Sequence, residues 1–290
     1  MIVGYLTRLF PKIPIRRLIF PSGPTFARNN FETSTFDLLL GDMVKVAKRL
    51  KAVSIEFFPS IDAVRTDLLI VLSQRGFNKV EGLFPCETLI IDLNKTVESL
   101  WASLKKSTRN ETKKADRAGF RLLKMWDIDR GCEMWPTAPR KCRRYLETIK
   151  EQVHGTEMLL AKRDSTYVSF GLFVGYSDTI KYLHGGINRL TPGSSGEWLL
   201  WQAILIYRMR YKWLDLGGAM VTRPSYKRPG EIAKLRRITQ FKTGFGGVLR
   251  KELGYFRMSN SSVIQPLLEW ARERILQQGR LGPILNWILA

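Results

Sequence analysis

Apolar positions fall along this chain in two rhythms, one helical and one of strands. From Phe36 to Lys51 they recur at helical spacing, with Leu39, Met43, Val46, Ala47 and Leu50 forming a stripe. The basic C-terminal end of that segment suits the helix dipole. Val53–Phe58 is strand-like and stops at Pro59, and Thr66–Arg75 returns to helical spacing before Gly76, a residue suited to the position after a helix. Thr88–Leu93 carries the buried-type run Leu89-Ile90-Ile91. This alternation predicts a first α/β unit; Met1–Pro24 reads as irregular with short strands.

Val97–Gly119 reads as a helix or a helix pair. Leu100, Trp101 and Leu104 form its apolar face, and Lys105, Lys106, Arg109, Lys113, Lys114 and Arg117 form the other. Phe120–Lys124 starts a strand. Arg140–Val153 is a further helix with Tyr145, Leu146 and Ile149 turned inward. Met158–Arg163, Tyr167–Tyr176 and Thr179–Asn188 read as neighbouring strands. A loop with Pro192, Gly193 and Gly196 then leads into a helix over Glu197–Tyr211. Trp213–Leu216 is a last strand that ends in Gly217-Gly218.

Composition narrows the function classes. The 290 residues are 44% hydrophobic and 25% charged, the profile of a soluble globular chain. Lys and Arg number 47 against 26 Asp and Glu, a formal net charge of +21. Such an excess favours a polyanionic partner, nucleic acid first and an anionic membrane surface second. The basic residues cluster in Lys105–Arg121, Arg140–Arg144, Arg208–Lys212 and Arg223–Arg237, as binding patches do. Cys86, Cys132 and Cys142 are odd in number and lack a CxxC pair, which predicts a reducing compartment and no disulfide framework. With only His154 and His184, a zinc site of His and Cys is not expected. No G-x-S-x-G elbow accompanies His184, which reads as a strand residue rather than a triad member. Pro11 and Pro14 interrupt any signal-like run at the N-terminus, and no window is apolar enough to span a bilayer. A cytoplasmic protein is expected, with peripheral contact at the inner membrane face as a further option.

Four ordered blocks carry a resemblance. Leu104-Lys105-Lys106-Ser107-Thr108-Arg109-Asn110-Glu111-Thr112-Lys113-Lys114-Ala115, followed by Gly119, resembles a helix signature of an Arg, then a basic pair plus Ala, then a Gly. Leu199-Leu200-Trp201-Gln202-Ala203 and Trp213-Leu214-Asp215-Leu216-Gly217-Gly218 resemble the next two blocks. Gln240-Phe241-Lys242-Thr243-Gly244-Phe245-Gly246-Gly247 resembles the terminal one. The family is that of the Fem-type aminoacyl-tRNA-dependent aminoacyltransferases, which form peptidoglycan bridges and have a GNAT-like fold. The resemblance covers roughly 97–257. It implies an α+β chain of two GNAT-like halves, with residues 1–96 a shortened first half and 97–262 the catalytic half. Residues 263–290 are expected as a C-terminal helix and tail packing back on the body.

The resemblance also implies the chemistry. The aminoacyl-tRNA is a co-substrate, and no metal or separate cofactor is expected. The acceptor is an amine on a peptide or a peptidoglycan precursor. Because the donor is an activated ester, no protein nucleophile is needed; the task is positioning and stabilising the tetrahedral oxyanion. Lys242 matches the family lysine for that role, or for holding the donor's terminal ribose and phosphate. Phe241 matches a neighbouring aromatic of the aminoacyl channel, with core packing as the alternative. Asp215 is a candidate to accept a proton or hold a positive group, or else a cap for nearby backbone N–H groups. Gly217, Gly218, Gly244 and Gly246 are candidates for close backbone approach to the donor, or for tight turns. Arg109, Lys113 and Lys114 are expected tRNA contacts, with Arg223, Lys227, Arg236 and Arg237 reaching the acceptor stem. Glu197 reads as a dipole-complementing residue rather than a base.

Rival readings are a GNAT N-acetyltransferase using acetyl-CoA, an aminoacyl-tRNA-dependent natural-product ligase, and a non-catalytic nucleic-acid binder. The loop 189–196 lacks the glycine spacing of an acetyl-CoA pyrophosphate loop, and Pro192 removes a donor N–H. A pure binder leaves the Phe-Lys and Gly-Gly blocks unexplained. The amino acid, the acceptor and the oligomeric state are not legible in the sequence.

Overall fold

A computed structural model of the chain describes residues 5–10, 13–20, 31–59, 61, 65–80, 87–135, 142–188, 195–219 and 229–259. Its elements begin with β1 (Tyr5–Phe10), β2 (Ile13–Phe20), α1 (Thr33–Arg49), β3 (Ala52–Phe57), α2 (Asp67–Gln74), β4 (Asn78–Val80) and β5 (Glu87–Asp92). Next come α3 (Val97–Ser103), α4 (Lys106–Arg117), β6 (Arg121–Lys124), α5 (Ile128–Met134), α6 (Cys142–Gln152), β7 (Thr156–Arg163), β8 (Thr166–Tyr176) and β9 (Thr179–Ile187). The series ends with α7 (Ser195–Tyr207), β10 (Trp213–Ala219), α8 (Pro229–Thr243), β11 (Val248–Lys251) and β12 (Tyr255–Ser259). Among the described residues, no helix is long and apolar enough to cross a membrane.

Two units are formed, each with its own sheet and core. In the first, β1-β2-β3-β12-β4 make a five-stranded sheet in which only β2 and β3 run parallel among the described pairs. Phe36, Leu40, Met43 and Ala47 recur every three or four residues on α1 and are buried with Ile55, Phe57, Leu68 and Phe256. Asp37 and Arg75 join α1 to α2 through two hydrogen bonds of 2.6 Å. Within the sheet, the buried Glu56 accepts hydrogen bonds from the Tyr255 hydroxyl and from Arg257 at 3.1 Å, with Arg17 3.6 Å away.

The second unit holds a seven-stranded sheet, β11-β5-β10-β9-β8-β7-β6. From β6 to β9 the strands form an antiparallel meander. Val168–Val174 of β8 are buried without a break, because α5 and α7 both pack against this interior strand. Helix α7 is apolar nearly all round, with Trp198, Leu199, Leu200, Trp201, Ala203, Ile204 and Tyr207 buried. It packs on α4, where the Trp198 indole N–H donates 2.5 Å to Asp116.

Three features depart from the sequence reading. Thr88–Leu93 does not complete the first α/β unit: β5 pairs with β10 in the second sheet, and β12 returns to the first sheet beside β3. The chain therefore leaves the first sheet at β5 and rejoins it at β12. Sheet partnership is non-local, and nothing in the apolar pattern says which run a strand joins. The expectation of no disulfide is overturned, because Cys132 on α5 and Cys142 on α6 are joined, with Cα atoms 5.8 Å apart. Finally, the basic stretch that ends at Thr243 forms α8, for which no helix was predicted. The expected C-terminal helix and tail lie outside the described residues.

Candidate active site

The site begins where two parallel strands part. β9 and β10 share three rungs, Trp213 with Thr179, Leu214 with Ile180 and Asp215 with Lys181. Past that last rung β9 stays paired to β8 as far as Ile187, while β10 continues along β5. A wedge thus opens beyond Lys181 and Asp215. On β10 the register against β5 shifts between Asp215 and Gly218, and Gly217 adopts φ +74°, a conformation that a side chain would strain.

The last rung is polar and buried. Asp215 is fully buried; it accepts hydrogen bonds from the Thr88 hydroxyl and, at 2.7 Å, from the Gly217 N–H, and its other oxygen lies 3.3 Å from the Lys181 ammonium. Burial works to raise the Asp215 pKa. Lys181, the two hydrogen bonds and the charge of Arg250 outweigh it and hold the carboxyl below its ordinary value. The carboxylate therefore fixes the β10 turn rather than standing in the open.

Lys242 reaches the same place from the last turn of α8. Its Nζ donates 2.7 Å to the Gly218 carbonyl, and a Cβ on Gly217 would lie 3.6 Å from that nitrogen. Burial brings its pKa down to about 8; Asp215 opposes the shift and Lys181 adds to it. Beside Lys242 lies a cavity of about 500 Å³, lined by Trp135, Phe170, Tyr182, His184 and Phe241 among others. Phe241 stands edge-on to Phe245, with centroids 5.4 Å apart, and its ring lies close to Gly196, where a Cβ would meet it at 3.5 Å. His184 shares a 2.7 Å hydrogen bond with the Tyr145 hydroxyl and lies against Trp135, with ring centroids 4.3 Å apart. Burial and the nearby Lys242 charge lower the His184 pKa to about 4, so the imidazole is neutral at pH 7.

Of the candidates from the sequence, Lys242, Phe241, Asp215, Gly217 and Gly218 converge on this wedge. Gly244 and Gly246 stand elsewhere. The Gly244 carbonyl accepts from the Lys105 N–H at 2.8 Å, and a Cβ on Gly244 would collide with the Thr108 hydroxyl. Gly246, at φ +74°, lies against Ser103. These two glycines let the end of α8 close on the α3–α4 junction.

The basic residues also divide. Arg109 donates to the Ala102 carbonyl at 3.0 Å and to the Leu104 carbonyl, so its guanidinium ties α3 to α4. Lys113 is exposed over the Trp101 ring at 5.9 Å, and Lys114 pairs with Glu111 at 2.7 Å. Arg236 and Arg237 are exposed on α8. Arg223 and Lys227 lie outside the described residues. The sequence reading missed Lys181, Tyr182 and Trp135 as site residues and took His184 only as a strand residue. A register shift sets Tyr182 opposite Phe173 and His184 opposite Leu172, so the plain alternation along β9 does not reveal that both reach the cavity.

This arrangement, a meander opening into a wedge between parallel strands, is a fold shared with several solved structures. Among solved structures the chain is similar to FemX, with a TM-score of 0.66 and 18% identity over 93% of this chain and 86% of that one. It is also similar to L-PGS from Bacillus licheniformis, with a TM-score of 0.56 and 14% identity over 93% and 85% of the two chains. A C-terminal domain assigned to a lysylphosphatidylglycerol synthetase from Agrobacterium fabrum matches with a TM-score of 0.55 and 12% identity over 96% and 91%. No protein-family model matches the chain, and no curated protein matches it by sequence.

Proposed function

We propose that this protein is an aminoacyltransferase that moves an amino acid from aminoacyl-tRNA to an amine, forming an amide bond by direct aminolysis. The observation that carries the reading is Lys242: a half-buried ammonium held at the mouth of the strand wedge by the Gly218 carbonyl, beside an aromatic cavity. A cation fixed there would stabilise the negative oxygen that develops as the ester carbonyl becomes tetrahedral. The fold shared with FemX and L-PGS supports the same reading, as does the basic surface of α4 and α8 for a tRNA donor. The acceptor in this proposal is an amine of a peptide or peptidoglycan precursor. The fold shared with a lysylphosphatidylglycerol synthetase domain adds a lipid acceptor to the panel to be tried.

The test is a donor screen. Purified protein is mixed with total tRNA charged with labelled amino acids, and separately with labelled acetyl-CoA, over amine acceptors and phosphatidylglycerol vesicles. RNase-sensitive transfer of one amino acid is expected, and Lys242→Ala is expected to lose it while keeping the fold. Transfer from acetyl-CoA alone would move the protein to the acetyltransferases and leave the basic surface to another role.

A further inference from the structure

Glu197 is the only carboxylate among the described residues that line the cavity. It is the third residue of α7 and half-buried. Among the described residues no Lys, Arg or His pairs with it; the only hydrogen bond to its side chain comes from its own backbone N–H. The cations that share the cavity are directed elsewhere: Lys242 is bound to the Gly218 carbonyl, and Lys234 is exposed on α8. The N-terminal end of α7 offsets part of the cost of withdrawing this carboxylate from water, and a cation would offset the rest. The other lining residues point to the kind of cation. Trp135, Phe170, Tyr182 and Phe241 line the same space, and aromatic rings with a carboxylate suit an ammonium group.

We propose that Glu197 receives the primary ammonium of the acceptor, with the aromatic walls around it, and takes its proton. The proposal rests on the aminoacyl-transfer reading of the same site. In the step, Glu197 removes a proton from the acceptor nitrogen, whose lone pair then forms the C–N bond with the ester carbonyl carbon. The ester C–O bond breaks with its electron pair going to the terminal ribose oxygen of the tRNA. The second proton lost by nitrogen passes through Glu197 to that oxygen, and the first leaves to solvent. Burial raises the Glu197 pKa, its own N–H opposes the shift, and the negative charge of Glu111 on α4 adds to it. Both raising effects make the carboxylate a better proton acceptor near neutral pH. The other ionisable groups lining the cavity are Lys234 and Lys242 on α8 and Tyr182 and His184 on β9.

The test uses the full chain and two readouts. Calorimetry with n-hexylammonium and with its neutral counterpart 1-hexanol reads recognition without any transfer. The ammonium is expected to bind at least about tenfold more tightly, with the preference lost in Glu197→Gln and kept in Glu197→Asp. In the transfer assay, Glu197→Gln is expected to lower kcat by about 10²–10⁴ and to remove the acidic limb of the pH profile. Equal binding of the two probes, or a Gln variant that keeps the ammonium preference or the acidic limb, overturns the proposal. If wild-type protein transfers nothing from aminoacyl-tRNA but still prefers the ammonium through Glu197, the transfer reading fails and the ammonium site stands.

Discussion

Replacing Asp215 by Ala tests the polar rung beneath the wedge. The variant removes a fully buried carboxylate, the acceptor of the Thr88 hydroxyl and the Gly217 N–H, and the counter-charge 3.3 Å from Lys181, whose side chain is 12% exposed. Breaking one half of a buried pair costs about 3–5 kcal/mol, because the other half stays buried. At about 2–4 °C per kcal/mol for a chain of this size, the melting temperature should fall by about 6–20 °C, read by circular dichroism at pH 7. Adding Lys181→Met should recover a good part of that loss, since the stranded charge goes too. The pH dependence follows from the sign of the shift. The Asp215 pKa is held below its ordinary value in the fold, so its contribution is present above the unfolded pKa of about 3.9. That contribution is lost only as pH falls through the folded value, and the wild-type and variant melting temperatures should converge in strong acid. A drop below about 3 °C at pH 7, or a double variant less stable than Asp215→Ala alone, would show that the rung does not hold the turn.

Other perturbations separate further parts of the site. Lys242→Ala should lower the transfer rate by about 10²–10³ with little change in melting temperature. In the wild type, transfer should decline above pH 8, where Lys242, at a pKa of about 8, loses its proton. From there towards pH 10.5 the unfolded chain binds more protons at this lysine than the fold does, so Lys242's share of stability rises with pH in a denaturant titration. Arg109→Ala should cost about 1.5–3 kcal/mol in urea unfolding through its lost carbonyl bonds. Lys113→Glu with Arg117→Glu should leave stability nearly unchanged and lower the salt slope of tRNA binding by about 0.7–0.9 per lost phosphate contact, measured by filter binding. Gly244→Ala should destabilise by about 1–3 kcal/mol, because Thr108 must shift.

How much of this was legible in the sequence depended on how local each feature is. The strand over Tyr167–Tyr176 and the helix α7 were legible through their largely apolar runs, and the motif blocks singled out Asp215, Gly217 and Lys242, which the fold brings together. Lys242 was legible as a motif residue but not as the end of a helix, because the segment before it is rich in Arg and Lys and shows little apolar periodicity. Arg109 looked like a free surface cation; only the break between α3 and α4 reveals the carbonyls it satisfies. The ring contact of Trp135 with His184 joins residues 49 positions apart. No window along the chain contains such a contact. Strand partnership was hidden for the same reason, since β12 finds β3 across the whole second unit.

The link between Cys132 and Cys142 makes the intervening chain a covalent ring, closed over a sequence separation of 10. Trp135 and Tyr145 each lie three residues beyond one of these cysteines, and both meet His184 at the cavity wall. Closing so short a ring withdraws roughly 2–3 kcal/mol of freedom from the unfolded chain. A single protease cut between the two cysteines would therefore leave one molecule, migrating intact on a gel until a thiol is added, with both rings that meet His184 still tethered at their bases.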